Sequence, residues 1–156
     1  MPILILLIGY AVDFGYFFFV AANLTSAARN AAEYSIQGYQ GPAQQSLPKA
    51  GPITSANSVS GAALGDMGGL LNAATIASVQ VCTKSLGTNG NVPLCGTYGN
   101  TGTTYVPTTD PEAPRFYLQR VDVTYQVQPP VPLSFFGVSL LPQLKFHRQV
   151  SMRAMD

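Results

Sequence analysis

The sequence of 156 residues predicts an α+β fold, in which a long N-terminal hydrophobic α-helix is followed by a second helix packed on a small antiparallel β-sheet. Three observations predict it. The chain opens with an apolar run, continues through a stripe of small residues at helical spacing, and ends in two runs that alternate with a period of two.

The first 22 residues, Met1 to Ala22, contain one charge, Asp13. As a helix they span about 33 Å, enough to cross a bilayer core of roughly 30 Å. A secretory signal peptide is the alternative, but no basic region precedes the run and it is longer than such segments usually are. Leu24, Ala27, Ala28, Ala31, Ala32 and Ser35 continue at three- and four-residue steps, so one helix is expected over residues 3–37. Its first half is apolar all round and its second half is amphipathic. Arg29 and Glu33 stand four residues apart, a spacing that allows a weak intrahelical pair.

Asp13 is the informative residue on this helix. A carboxylate in the middle of a membrane helix costs roughly 2.5–3.5 kcal/mol on insertion scales. Arg29 is sixteen residues away, about 24 Å along a straight helix, so it cannot reach Asp13 within one chain. Either a cation from another subunit meets Asp13, or the residue lies near an interface or is protonated, next to Gly9, Tyr10 and Tyr16.

Residues 38–54 are polar and rich in Pro and Gly, which predicts a linker between the helix (1–37) and a head (55–156). Val59, Ala62, Ala63, Met67, Leu70, Leu71, Ala74 and Ala77 then mark a helix within Ser55 to Ser78, and Ser78 to Thr83 alternates as a strand. Residues 84–114 read as loop. A bridge between Cys82 and Cys95 would staple that loop and implies an oxidising compartment; two free buried thiols are the alternative.

The strongest strand signal follows. Val121, Val123, Tyr125 and Val127 alternate with polar residues, as do Leu144, Phe146, Val150, Met152 and Ala154, with Arg148 alone breaking the apolar side. The two runs predict an antiparallel hairpin. Between them lies an apolar connection with Leu133, Phe135, Phe136, Leu140 and Leu141, which Pro129, Pro130, Pro132 and Pro142 keep from forming a regular helix or central strand. It either folds over the sheet as core or forms an exposed adhesive patch.

Composition removes several functions. Charged residues are 10% of the chain and the net charge is +1, so no basic face is expected for nucleic acid. One His and two Cys leave little from which to build a zinc site or a His-dependent triad. The carboxylates are scattered, the Gly-rich stretch at Gly65 lacks the Lys-Ser/Thr of a phosphate loop, and His147 reads as a solvated surface residue. The expectation is no catalytic residue, no metal and no cofactor.

The apolar start Pro2-Ile3-Leu4-Ile5-Leu6-Leu7-Ile8-Gly9, then Asp13-Phe14-Gly15 and Ala27-Ala28-Arg29-Asn30-Ala31-Ala32-Glu33-Tyr34, resembles the TadE-like proteins of bacterial tight-adherence pilus systems. So do Val121 to Tyr125, the Pro-rich connection and Arg148 to Arg153. The resemblance implies a type IV pilin-like fold. It also implies a structural subunit held in the cytoplasmic membrane and later assembled with copies of itself, by the pilus assembly machinery, into an extracellular filament. Residues 1–22 would contact membrane lipid before assembly. Leu4, Leu7, Asp13, Phe14, Phe18, Leu24, Arg29 and Glu33 would form the assembly helix, and Leu133, Phe135, Phe136, Leu140 and Leu141 are candidate lateral contacts. The family favours a minor pseudopilin, whereas the Gly/Thr-rich head favours a filament-forming role. Residue 5 is Ile where such helices carry Glu, and no basic leader precedes it; the sequence is therefore expected to begin inside the helix. The rival is a membrane-anchored envelope binding module whose head captures a partner.

Overall fold

The computed structural model describes residues 2–37, 47–67, 77–100, 104–111, 116–131, 134–135, 138–139 and 143–155. Helix α1 runs Pro2–Ser35, about 51 Å at 1.5 Å per residue. Helix α2 is Val59–Asp66, and the strands are β1 Ala77–Asn89, β2 Val92–Gly99, β3 Phe116–Val127, β4 Ser134–Phe135, β5 Val138–Ser139 and β6 Leu144–Met155. The main sheet is antiparallel in the order β2-β1-β3-β6, and among the described residues β4 pairs with β5.

The expected C-terminal hairpin forms in the register that its apolar pattern requires. Val121 lies opposite Val150, Tyr125 opposite Phe146 and Val127 opposite Leu144, so both apolar sides share one face. That face carries α1. From the helix come Phe17, Val20, Leu24, Ala27, Ala28, Ala31 and Ala32; from the sheet come Val79, Val81, Val121, Val123 and Val127, all buried. Four alanines let the helix backbone sit close to the β-branched strand side chains, which explains why this half of α1 is poor in large residues. Arg148, the break in the β6 pattern, lies opposite Val123 and donates from Nε to Thr25 Oγ1 of α1 at 3.0 Å.

Two expectations are corrected. The helix expected within 55–78 begins at Val59, the first residue of its apolar stripe. Ser58 caps it: its side chain accepts from the Gly61 N–H at 3.0 Å while its hydroxyl meets the carbonyls of Pro52 and Ser55. Ala77, expected on the helix, is instead in β1 opposite Tyr125, where the sheet ladder pairs its backbone, and Ser78 follows in the expected strand opposite Thr124. The stretch 68–76 of that expected helix lies outside the described residues, as does 38–46 of the expected linker.

Residues 84–114 are not all loop. β1 continues to Asn89, turns through Gly90 and Asn91, and returns as β2. Gly90 has φ +64, the left-handed conformation that a two-residue hairpin needs at its first central position. Strand β2 contains Pro93 and lies at the sheet edge, where a missing N–H is tolerated. Cys82 and Cys95 are directly opposed in this ladder and form the expected disulfide. Loop-like composition was outweighed by the hairpin turn and by this cross-strand bridge.

Candidate assembly and membrane surface

Helix α1 has two surfaces along its length. Gly9, Asp13, Phe17, Val20, Leu24, Ala28, Ala31 and Ser35 follow each other at three- and four-residue steps and are covered by the rest of the chain. Opposite them lie Ile3, Leu4, Ile5, Leu7, Ile8, Val12, Phe14, Phe18 and Phe19, all exposed. Phe14 is 65% and Phe18 78% exposed, far beyond what isolated surface hydrophobes explain, and the residues form one continuous apolar face. Residues Ile3–Ser35 are long and apolar enough to cross a membrane, with mean hydropathy 2.2 over the best window.

The expected assembly residues divide accordingly. Leu4, Leu7, Phe14 and Phe18 are on the bare face. Arg29 and Glu33 are exposed further along, with no ion pair between them among the described residues. Leu24 is different: it is fully buried against the chain's own sheet, because it falls on the stripe that β3 and β6 cover, and it has no surface left for a neighbour.

Asp13 is also fully buried, and by its own chain. Its Oδ1 accepts from the backbone N–H of Val131 at 3.1 Å, while Oδ2 has no hydrogen-bond partner. The cover therefore comes from the connection after β3, which reaches back along the helix to this level. That contact links residues 118 positions apart, so spacing along the sequence held no hint of it. Of the candidate lateral contacts, Leu133, Phe136, Leu140 and Leu141 lie outside the described residues. Phe135 is in β4, paired with Val138 across a short hairpin that the proline-rich sequence did not announce.

The opposite face of the sheet holds a polar cluster. The Asp122 carboxylate accepts from Arg120 Nε at 2.6 Å and Nη2 at 2.9 Å, and its Oδ1 lies 2.8 Å from His147 Nε2. The His147 ring stacks on Tyr105, with centroids 3.8 Å apart and planes tilted by 10°. This corrects the reading of His147 as a solvated residue. Thr124 and His147 are cross-strand partners, which puts His147 diagonal to Asp122 on one face.

Residues 104–111 run across this face as a strap. The Gln80 side chain grips the Tyr105 backbone at both N–H and C=O, each at 2.6 Å, and Arg153 donates to Asp110 at 2.8 Å. Gln80, Asp110, Arg120 and Asp122 are buried here, and each contact satisfies a group that burial would otherwise penalise. Tyr125, on the helix side, has its phenol pKa raised by burial, with Tyr16 adding to the effect. Among the described residues no three His, Cys, Asp or Glu side chains gather as a metal site. The polar cluster is a clasp for the strap, and the apolar face of α1 is the surface that faces outward.

No curated protein and no solved structure matches the chain. Residues 1–33, most of the helix that bears the exposed apolar face, match the family model described as TadE-like protein.

Proposed function

We propose that the chain is a structural subunit of a bacterial type IV pilus-like, Tad-type extracellular filament, assembled through α1. The observation that carries this reading is the bare apolar face of α1 with the head packed along its other side. A helix of this kind can lie in lipid before assembly and against copies of itself afterwards. The exchange costs little, because lipid and a protein core are both apolar, and packing shape can then drive polymerisation. The Cys82–Cys95 bridge supports an oxidising, non-cytoplasmic location for the head. Partners in this reading are further copies of the chain, the assembly machinery of the cytoplasmic membrane and membrane lipid.

Asp13 would set register by meeting a cation of a neighbour, either the N-terminal amine or Arg29. Its uncommitted Oδ2 is the atom available for that role, and the backbone at Val131 would have to move aside. Asp13→Ala is then expected to reduce surface filaments without lowering the subunit level; unchanged filaments remove the role.

A second reading keeps the subunit in the cytoplasmic membrane as a minor pseudopilin or an envelope binding module. The covering of Asp13 by the same chain favours it, because the one charge in the apolar run is then accommodated without a neighbour. Electron microscopy of material sheared from the cell surface, with mass spectrometry of its main component, separates the two. Abundant filaments built of this chain support the first; recovery only in the membrane fraction supports the second.

A further inference from the structure

The described arginines fall into two groups. Arg120 and Arg153, on the face of the sheet that residues 104–111 cross, are each paired with a carboxylate, Asp122 and Asp110. Arg29 and Arg148 are exposed, and among the described residues neither meets a carboxylate. These two come together at Thr25. Arg148 donates from Nε to the Thr25 hydroxyl at 3.0 Å, and Arg29 follows Thr25 by four residues, the spacing of neighbours on a helix surface. Thr25 gives its own proton to the Ala21 carbonyl at 2.8 Å, which leaves its oxygen as an acceptor for Arg148. Arg148 Nη1 donates to the His147 carbonyl at 3.2 Å, and Nη2 takes no part in either bond. Strand β6 is the outermost of its sheet, so no further strand of that sheet lies beyond this guanidinium.

Helix geometry sets the height of the pair. Thr25 and Arg29 stand three and seven residues past Ala22, where the apolar run ends, or about 4.5 and 10.5 Å along the axis. The headgroup layer on each side of a bilayer core is roughly 5–8 Å deep. Helical side chains lean toward the N-terminus, so Arg29 reaches back toward Thr25 and that layer. On the apolar side of the pair the same face stays open. Ala11, Gly15, Phe18, Ala22, Thr25 and Arg29 recur at three- and four-residue steps, and all are exposed. A Cβ at Gly15 would meet nothing within 4 Å.

We propose that Arg29 and Arg148 clamp the phosphate of an anionic phospholipid, whose acyl chains run along the exposed stripe of α1. The proposal rests on the reading that residues 1–22 lie in the bilayer, and it concerns the subunit before assembly. A guanidinium presents its N–H groups in a planar fork that matches two phosphate oxygens. Two cations without a carboxylate favour a phosphodiester that carries no amine, because the ammonium of a zwitterionic headgroup cancels the phosphate charge.

The chain has no Trp, so Phe18→Trp places a single fluorescent reporter on this stripe, two turns before Thr25. The full chain carrying it is reconstituted in phosphatidylcholine vesicles that contain a small, fixed fraction of brominated phosphatidylglycerol or of brominated phosphatidylcholine. The brominated phosphatidylglycerol is expected to be enriched at the reporter at least about fivefold over the other, the effect of one basic side chain near an anionic surface. Arg29→Gln/Arg148→Gln should bring the two lipids to equal quenching. Arg29→Gln alone breaks no ion pair among the described residues and should already lose part of the preference, which keeps the test informative should the double variant misfold. Lys49→Gln removes an exposed cation near Gly51, which packs on Tyr98 of β2 at the far edge of the sheet, and should leave the preference intact. Equal quenching in the parent, or a preference that survives the double substitution, overturns the proposal and leaves the membrane helix standing. An equal loss in Lys49→Gln makes the preference a general charge attraction and overturns the clamp. Loss of the preference in inorganic phosphate, but not in chloride of the same ionic strength, assigns the site to free phosphate instead of lipid. Failure of both bromolipids to quench overturns the membrane reading itself, and the proposal with it.

Discussion

Removal of the Asp122 carboxylate tests whether the polar face of the sheet stabilises the head. In Asp122→Ala, Arg120 loses two charge-assisted hydrogen bonds, at 2.6 and 2.9 Å, and His147 loses the one at 2.8 Å. The guanidinium side chain is only 10% exposed and stays buried, so the variant strands a positive charge out of water. Breaking a buried pair from one side costs about 3–5 kcal/mol, and the residual exposure of Arg120 favours the lower end of that range. At about 3–4 °C per kcal/mol for a domain of this size, the melting temperature should fall by roughly 10 °C. The measurement is thermal and urea unfolding of the detergent-solubilised full chain, followed by the sheet signal in far-UV circular dichroism. The double variant Arg120→Met/Asp122→Leu leaves no charge buried and should recover most of the loss, since apolar replacement of a buried pair is often neutral. A loss below about 1 kcal/mol in Asp122→Ala would refute the reasoning, because that is the scale of a solvent-screened surface pair.

The remaining predictions concern the two surfaces of α1 and the head's turns. Leu24→Ala should destabilise the head by about 2–5 kcal/mol, as a fully buried leucine does, whereas Phe18→Ala should leave head unfolding unchanged and weaken association; paired denaturation and filament-yield measurements separate them. Reduction of Cys82–Cys95, which closes a segment with a separation of 13, should cost about 3 kcal/mol in the chain-entropy model, read as a lower urea midpoint with the β1–β2 hairpin losing amide protection first. Gly61→Ala would place a Cβ 1.8 Å from the Ser55 carbonyl oxygen, so the turn that caps α2 must open; a stability loss of about 1–3 kcal/mol is expected, and an unchanged midpoint would contradict the tight Ser55–Gly61 approach.

Much of the architecture was legible in local pattern. The run Met1 to Ala22, the alanine steps from Ala27 to Ala32 and the two alternating strands are periodicities, and periodicity survives without knowledge of partners. The shared apolar face of the two strands followed from parity, since a one-residue slip turns every side chain to the other face, whereas the particular pairing of Val121 with Val150 was decided by the folded sheet. The hairpin at Gly90 was obscured by composition: Gly, Asn, Thr and Pro describe a loop equally well, and the decision fell to a turn conformation and a cross-strand disulfide.

The sequence by itself determined that one helix is apolar enough for a membrane, that its second half is built to pack, and that a sheet ends the chain. Those properties depend on residue type and spacing alone. Only the tertiary structure decided that Leu24 is spent on the core, that Asp13 meets Val131 and that Asp122 finds both Arg120 and His147. The physical reason is that a polar group's partner is chosen by proximity in space. Asp13 and Val131 stand 118 residues apart, and Asp122 and His147 stand 25 apart, distances over which sequence carries no record of which groups fold together.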